Sequence, residues 1–179
     1  MVLSHQSGLG FFPGMPIDRF SVRELVTQAV KDGLQSEPGE RWRYSNWGLD
    51  IAVAIAEQVG GKPWEILLQE RILDPLGMKT ATFWPKEDDA PGAVLATAYV
   101  MDTNRVDYLK PVKTVNMRHP YDDPHRYAEG GGGLFMSTRD YMKFCKMLLD
   151  GGKTPDGKTI LNDASMKILL TKQTPDCEK

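Results

Sequence analysis

The chain has 179 residues, of which 41% are hydrophobic and 26% are charged, and its formal net charge is −2. This size and composition are typical of one globular domain that can bury a sizeable core. The near-neutral charge and the lack of a basic run argue against nucleic acid as a partner. No apolar run reaches the roughly 20 residues that a membrane-spanning helix needs.

Two helices are predicted in the first third of the chain from apolar periodicity and end signals. The first runs from Ser21 to Gly33, and Glu24 lies three residues after Ser21, which is the spacing of a capping box. The second covers about residues 47–59 and ends at the glycine pair that follows. Because this second helix is apolar nearly all round, we expect it to be buried on most sides.

Three further helices are predicted where an apolar stripe at helical spacing lies between a cap or proline and a stop signal. Their ranges are from Pro63 to the Asp74-Pro75 pair, from Ser137 or Thr138 to Gly151, and from Asp163 to Thr171. Asn162 is the expected cap of the last helix. Met166, Leu169 and Leu170 form the face through which we expect it to pack.

Residues 80–128 differ from the rest of the chain, since they are rich in Pro, Asp and Thr with only short apolar runs. We expect a long excursion with at most a few short strands, of the kind that often forms functional walls in compact domains. The predicted fold class is therefore α+β and predominantly α-helical. No linker or repeat divides the chain, which predicts one structural unit over residues 1–179.

The most informative motif precedes the second helix. The sequence Pro38-Gly39-Glu40-Arg41-Trp42-Arg43-Tyr44-Ser45-Asn46 runs directly into an apolar stretch and brings Tyr44 and Asn46, two positions apart, to the start of that helix. A Tyr-x-Asn tripeptide is common by itself. It is also compatible with a purely structural interpretation, in which Asn46 caps the helix and the Tyr44 ring packs locally.

Four other segments accompany this motif in a fixed order. They are residues 3–9 (Leu-x-His-x-Ser-Gly-Leu), 57–63, 74–80 with Pro-Leu-Gly-Met, and the glycine-rich residues 130–140. Together the segments resemble the β-lactamase-like family of penicillin-recognising serine hydrolases, which includes class C β-lactamases, D-alanyl-D-alanine carboxypeptidases and family VIII esterases. We expect His5, in the first segment, to be a hydrogen-bonded scaffold residue rather than a base.

The resemblance implies an architecture. Residues 1–179 are expected to form a partial β-lactamase-like domain, mostly the helical part of the β-lactamase/transpeptidase-like fold. A few short strands would be present, without most of the antiparallel sheet of that fold.

The resemblance also implies a chemistry. Family members attack an amide, β-lactam or ester carbonyl with the serine of a Ser-x-x-Lys motif and pass through an acyl-enzyme. By this resemblance Tyr44 takes part in proton transfer to and from the serine and the leaving group. Asn46 hydrogen-bonds the substrate amide and the motif lysine. The expected partner is a small molecule or peptide with a reactive carbonyl, with no cofactor and no metal, and the choice among substrates and the oligomeric state stay open.

The cationic groups that this chemistry requires are missing from the sequence. A free tyrosine has a pKa near 10, so it needs cationic neighbours to act as a base at neutral pH. None of the seven serines is followed three positions later by lysine, and no Lys-Thr-Gly, Lys-Ser-Gly or His-x-Gly follows the last predicted helix. We therefore expect an internal piece of a longer hydrolase, inactive alone, whose parent acts in the periplasm or outside the cell. The alternative is a non-catalytic helical binding module derived from the same family.

Two further patterns have simpler explanations. Residues 152–159 match Gly-x-x-x-x-Gly-Lys-Thr, but they follow a helix and contain Pro155, which favours a surface hairpin over a phosphate-binding loop. His119, Asp122, Asp123 and His125 could ligate a metal, yet the prolines between them favour a solvated loop.

Overall fold

The computed structural model describes residues 1–10, 21–86, 95–101, 109–112 and 120–174. Within these ranges helices dominate, and none is long and apolar enough to cross a membrane. The elements in chain order are a 3₁₀ turn at Val2–Ser4, α1 at Val22–Asp32, α2 at Asn46–Gly60, α3 at Trp64–Leu68, a π-helical stretch at Gln69–Leu73, α4 at Asp74–Leu76, β1 at Ala98–Met101, β2 at Leu109–Val112, α5 at Thr138–Leu149 and α6 at Asp163–Leu170.

Helices α1 and α2 pack against each other around a small core. The capping box predicted for α1 is confirmed, because Ser21 Oγ accepts the N–H of Glu24 while Glu24 Oε2 accepts the N–H of Ser21 at 2.8 Å. Leu9, Ala29 of α1 and Trp47 of α2 are buried together in this core. The start of α2 is thereby held in the interior of the molecule.

The expectation that α2 is buried on most sides is wrong for one of its faces. Ile55 and Val59, one helical turn apart, are 56% and 83% exposed, whereas Trp47 and Val53 are buried. Helix α2 is contacted by α1, by the Val2–Ser4 turn and by α3. In the described part of the chain these contacts leave the Ile55 and Val59 positions uncovered, which periodicity alone could not reveal.

The third predicted helix also differs in its ends. Pro63 precedes α3 in an extended conformation (ψ 149°) instead of being its first helical residue. At the other end the helical path continues past Pro75 to Leu76 and stops at Gly77, whose φ is +62°. The π-helical stretch restarts the hydrogen-bond pattern ahead of Pro75, so the proline lies in the first turn of α4, where its missing N–H costs little.

The larger core joins the turn after α4 to α5. Its buried members come from three parts of the chain and are Leu68, Leu73, Leu76, Met78, Phe83, Ala128 and Met147. Thr82 and Phe135 form an antiparallel bridge that closes this core beside the glycine-rich residues. The Thr82 N–H donates to the Phe135 carbonyl at 2.9 Å, and the Phe135 N–H donates to the Thr82 carbonyl at 2.8 Å.

Strands β1 and β2 form an antiparallel pair in which Ala98 lies opposite Val112 and Met101 lies opposite Leu109. The expected short strands are therefore present in the described part of residues 80–128. Residues 87–94, 102–108 and 113–119 of that excursion lie outside the described ranges. Predominant helices with a small antiparallel sheet agree with the α+β expectation.

The last two helices begin where they were predicted to begin. The Ser137 side chain caps α5, and Asn162 Oδ1 accepts the N–H of Ser165 at 2.8 Å at the start of α6. Met166 is buried as expected, but Leu169 and Leu170 are 55% and 75% exposed, so the predicted packing face of α6 is wrong at these two positions. The reason is that α6 contributes only its Met166 side to the described core.

Residues 153–159 form a surface hairpin, as predicted. Lys153 and Thr159 make an antiparallel bridge, and the N–H of Thr154 donates to the Lys158 carbonyl at 2.8 Å. The Gly157 N–H donates back to the Thr154 carbonyl at 2.9 Å. The amides are used inside the turn, so they do not form the open cradle that a phosphate-binding loop requires.

Candidate active site

Tyr44 lies in an extended segment immediately before α2, at the surface of the molecule. Its side chain is 45% exposed, so the phenol does not lie in a closed apolar interior. The ring contacts the imidazole of His5 with a centroid separation of 4.7 Å and an interplanar angle of 41°. This position allows a ligand to approach Tyr44 while one side of its ring is supported.

His5 holds the backbone on both sides of Tyr44. Its Nδ1 accepts the N–H of Ser45 at 3.2 Å, and its carbonyl accepts the N–H of Arg43 at 2.9 Å. The acceptor role assigns the ring proton of neutral His5 to Nε2. The indole of Trp42 also contacts the imidazole edge-on, with a centroid separation of 5.7 Å. These contacts agree with the expected scaffold role of His5.

The backbone of His5 has an unusual conformation, with φ of 57° in the left-handed region. Such a value costs energy in a residue with a side chain and persists where surrounding contacts enforce it. Here the hydrogen bonds to residues 43 and 45 supply that enforcement. The segment around residue 5 therefore serves as a template for the chain that carries Tyr44.

Ser45 and Asn46 mark the start of α2. Ser45 is 1% exposed, and its Oγ donates to the Gly10 carbonyl at 3.1 Å. Ser45 is also the residue at the cap position, and Asn46 is the first residue of the helix. The structural alternative in which Asn46 caps α2 is therefore wrong. The side chain of Asn46 lies outside the part of the chain that the structure describes.

A buried carboxylate lies one turn further along α2. Asp50 is 3% exposed, and its Oδ1 accepts the N–H of Gly130 at 3.0 Å across 80 residues of sequence. Burial raises the pKa of Asp50, and the hydrogen bond from Gly130 and the polar influence of the Tyr127 hydroxyl only partly oppose that rise. This contact joins the glycine-rich residues to the helix that begins beside Tyr44.

Gly130 lies so close to α2 that no side chain could be accommodated. A Cβ at this position would lie 2.6 Å from the Leu49 carbonyl oxygen and 2.7 Å from Cγ2 of Val53. Both distances are shorter than real carbon contacts allow. The absence of a side chain at residue 130 therefore permits the backbone to rest on the helix surface.

A second polar network anchors the other end of the glycine-rich residues. Thr80 donates to Asp140 Oδ2 through both its N–H and its hydroxyl, each at 2.7 Å, and its Oγ1 accepts the N–H of Ser137 at 3.0 Å. Lys143 Nζ lies 2.7 Å from Asp140 Oδ1. Burial opposes ionisation of Asp140, but the bonds from Lys143 and Thr80 outweigh it and hold the pKa of this carboxyl below its ordinary value.

Sequence reasoning missed the roles of Asp50 and Thr80. Asp50 carried a usable signal, because it is the single charged residue within residues 47–56. A lone carboxylate in a helix that must be buried requires a hydrogen-bond partner. Nothing local identified that partner as Gly130, nor Asp140 as the partner of Thr80.

The four residues that could ligate a metal, for which the sequence favours a solvated loop, are only partly within the described residues. His119 lies outside them. Asp123 Oδ1 accepts the N–H of His125 at 2.9 Å and lies 3.1 Å from its Nδ1, which is a contact local to one turn. Across the described ranges, no three His, Cys, Asp or Glu side chains gather as a metal site would require.

A cleft of about 380 Å³ lies far from Tyr44, between α1 and the C-terminal end of α2. Its lining includes Arg23, Ala54 and Glu57. Glu57 follows Asn46 by 11 residues, which is roughly 16 Å along a helix. The cleft is therefore separate from the Tyr44 end of α2.

Comparisons with known proteins agree with the motif pattern. A model of the beta-lactamase family matches residues 1–173. The chain is 30% identical to protein Rv1367c of Mycobacterium tuberculosis over 191 residues, which cover 99% of this chain and 45% of that protein. It is 29% identical to the lovastatin esterase of Penicillium rubens over 161 residues, which cover 83% of this chain and 39% of that protein.

The fold agrees with a solved structure of the same kind. The D-amino acid amidase from Ochrobactrum anthropi, complexed with D-phenylalanine, matches with a TM-score of 0.66 at 26% identity over 92% of this chain and 46% of that one. The helices, the small sheet and the ordered motifs thus define a β-lactamase-like protein. The chain belongs to the beta-lactamase family, and it spans less than half the length of these relatives.

Proposed function

We propose that this chain contributes Tyr44 and Asn46 to the active site of a serine hydrolase that attacks an amide, β-lactam or ester carbonyl. One observation carries the proposal: in a member of this family, the phenol of the Tyr-x-Asn motif is 45% exposed at the start of α2 and is held there by His5. Named relatives include an esterase and a D-amino acid amidase, which is consistent with attack on a carbonyl.

In the proposed reaction a serine Oγ attacks the substrate carbonyl and forms a tetrahedral intermediate. The proton of the serine passes to the Tyr44 oxygen and then to the departing nitrogen or oxygen, whose bond to the carbonyl carbon breaks. Water hydrolyses the acyl-enzyme in a second step. The Asn46 amide would hydrogen-bond the substrate and so orient it for attack.

The nucleophile and the cations that this scheme requires belong to polypeptide outside residues 1–179 in our proposal. The chain lacks Ser-x-x-Lys, no Lys-Thr-Gly, Lys-Ser-Gly or His-x-Gly follows its last helix, and it matches less than half of each relative. We propose that residues 1–179 form a partial β-lactamase-like domain, mainly its helical part, and have no acyl-transfer activity alone.

The proposal is tested with the longest reading frame that contains this sequence. The longer protein is expected to hydrolyse nitrocefin or a p-nitrophenyl ester and to gain the mass of the acyl group when the reaction is quenched. The 179-residue chain and a variant with alanine at the Ser-x-x-Lys serine serve as controls. A longer protein that carries Ser-x-x-Lys but neither turns over nor becomes acylated by any of these substrates would contradict the proposal.

The absence of both cationic motifs favours one other candidate, a non-catalytic helical module that binds a peptide or small molecule without turnover. A reading frame without an in-frame Ser-x-x-Lys would support this second candidate. The presence of that motif upstream would reject it.

A further inference from the structure

Asp50 is a buried carboxylate whose interactions are few and specific. It is 3% exposed, and no lysine, arginine or histidine in the described ranges forms an ion pair with it. Its one hydrogen bond of defined geometry among the described residues comes from the Gly130 N–H at 3.0 Å. A buried carboxylate without a cationic partner carries a desolvation penalty, which this hydrogen bond only partly offsets.

The hydrogen bond to Asp50 holds Gly130, which is the first residue of the glycine-rich segment, residues 130–133. The backbone of Gly130 rests directly on α2, where a Cβ would be 2.6 Å from the Leu49 carbonyl oxygen. The hydrogen bond that the Gly130 N–H donates to Asp50 fixes the direction of that N–H, and the steric contact fixes how closely the Gly130 backbone approaches α2. Together they determine where the segment leaves the helix.

This attachment point lies close to Tyr44 along the chain and along the helix axis. Asp50 follows the first residue of α2 by four positions, which is about 6 Å of helix. Tyr44 comes two positions before that first residue. The glycine-rich segment is thus anchored within about one turn of the end of α2 that Tyr44 borders.

We propose that Asp50 is a positioning residue, which holds the glycine-rich segment against α2 near its Tyr44 end so that the segment forms a fixed wall of the proposed substrate site. The inference rests on the proposed hydrolase function, but the contact itself can be tested without activity. Asp50 touches no reacting atom in this proposal and acts only through Gly130.

The first experiment measures amide hydrogen exchange in the 179-residue chain. Asp50→Ala is expected to speed exchange at the Gly130 N–H by about tenfold or more, because a bond to a charged acceptor is lost. Asp50→Asn retains an acceptor oxygen and is expected to restore most of the protection. Equal protection of Gly130 in the parent and in Asp50→Ala would overturn the proposal.

A general loss of stability is distinguished from loss of positioning by reference amides. In a merely destabilised protein, core amides such as that of Met147 would exchange faster by the same factor as Gly130. If Asp50→Ala does not fold, Gly130→Ala tests the same contact from the other side. Gly132→Ala is its matched control for folding, since a Cβ there would meet only Glu129 Oε2 at 3.9 Å.

The second experiment uses the longer protein and separates binding from turnover. Asp50→Ala is expected to lower kcat/KM for ester hydrolysis by about tenfold, mainly through KM, while Asp50→Asn recovers it. Asp32→Ala, at the exposed end of α1, is the control and leaves both constants unchanged. An active protein whose kcat/KM is indifferent to Asp50→Ala overturns this inference, whereas an inactive longer protein with intact Gly130 protection overturns the proposed function instead.

Discussion

The imidazole of His5 and the main chain of Ser45 are joined by a hydrogen bond of 3.2 Å that crosses 40 residues of sequence. Ser45 lies directly after Tyr44, so this bond determines the direction in which the chain carries the phenol into α2. The tilted rings of His5 and Tyr44 add a second contact, with a centroid separation of 4.7 Å. The position of the proposed catalytic group therefore depends on a residue near the start of the chain.

His5→Ala is expected to destabilise the chain by about 2 kcal/mol, because it leaves the buried N–H of Ser45 without an acceptor and removes two ring contacts. Urea unfolding measures the change, and fluorine NMR of 3-fluorotyrosine at residue 44 reports the mobility of that ring. His125→Ala is the matched control, since the His125 side chain is 84% exposed. Equal effects of the two substitutions would show that His5 is not a scaffold residue.

Asp140→Asn is expected to destabilise the chain by about 2 kcal/mol at neutral pH, since the buried carboxylate binds Lys143 and Thr80. The folded pKa of Asp140 is lowered, so below the ordinary aspartate value, about pH 4, the unfolded chain binds more protons than the folded one. The stabilisation is therefore complete above that pH and is lost as pH falls through the folded pKa.

Urea unfolding of the parent and of Asp140→Asn at a series of pH values measures this dependence. The difference between the two is expected to shrink towards zero in acid. Asp150→Asn is the control, because Asp150 forms an exposed ion pair with Lys146 and its loss should cost less than about 0.5 kcal/mol. A difference for Asp140→Asn that is the same at all pH values would contradict the assignment.

Asp50→Asn is expected to have the opposite pH dependence. The folded pKa of Asp50 is raised, so the folded chain binds more protons than the unfolded one from about pH 4 up to that raised value, and stability falls as pH increases through the window. Above this pH window Asp50 is ionised in the folded chain, and its buried charge lowers the free energy of unfolding by the full amount. Asp50→Asn should therefore be as stable as the parent in acid and more stable by roughly 1 kcal/mol at neutral pH.

The same series of unfolding curves checks this expectation. As pH rises, the free energy of unfolding of Asp50→Asn must increase relative to that of the parent. That of Asp140→Asn must decrease relative to the parent over its own pH range. A parent that is more stable than Asp50→Asn at neutral pH would mean that the charge itself contributes a favourable contact.

Local signals predicted most of the helix ends, and non-local packing explains the errors. The caps Ser21, Ser137 and Asn162 act within one turn, so their residue types identify the starts of α1, α5 and α6. The exposure of Val59 and Leu170 depends on which other segments cover each helix, and composition does not contain that information. The π-helical stretch before Pro75 likewise reflects the fit of α3 and α4 to the core.

For the site, the motif indicated where Tyr44 would be but not what holds it. The exposed phenol at the start of α2 agrees with the motif-based expectation, while the catalytic roles of Tyr44 and Asn46 stay predictions. The Asp50 to Gly130 contact spans 80 residues and the Thr80 to Asp140 contact spans 60. Pairings at such separations follow from the folded chain and could not be derived from spacing.

The central claim is that the phenol of Tyr44 transfers protons at an acyl-transfer site. Its most direct test is kcat/KM for ester or nitrocefin hydrolysis by the longer protein with Tyr44→Phe, which removes one oxygen and leaves the ring against His5. We expect a decrease of at least about tenfold, because general acid–base catalysis is lost. Tyr141→Phe, on the exposed surface of α5, should leave the value unchanged. A Tyr44→Phe variant that hydrolyses these substrates as fast as the parent would contradict the account.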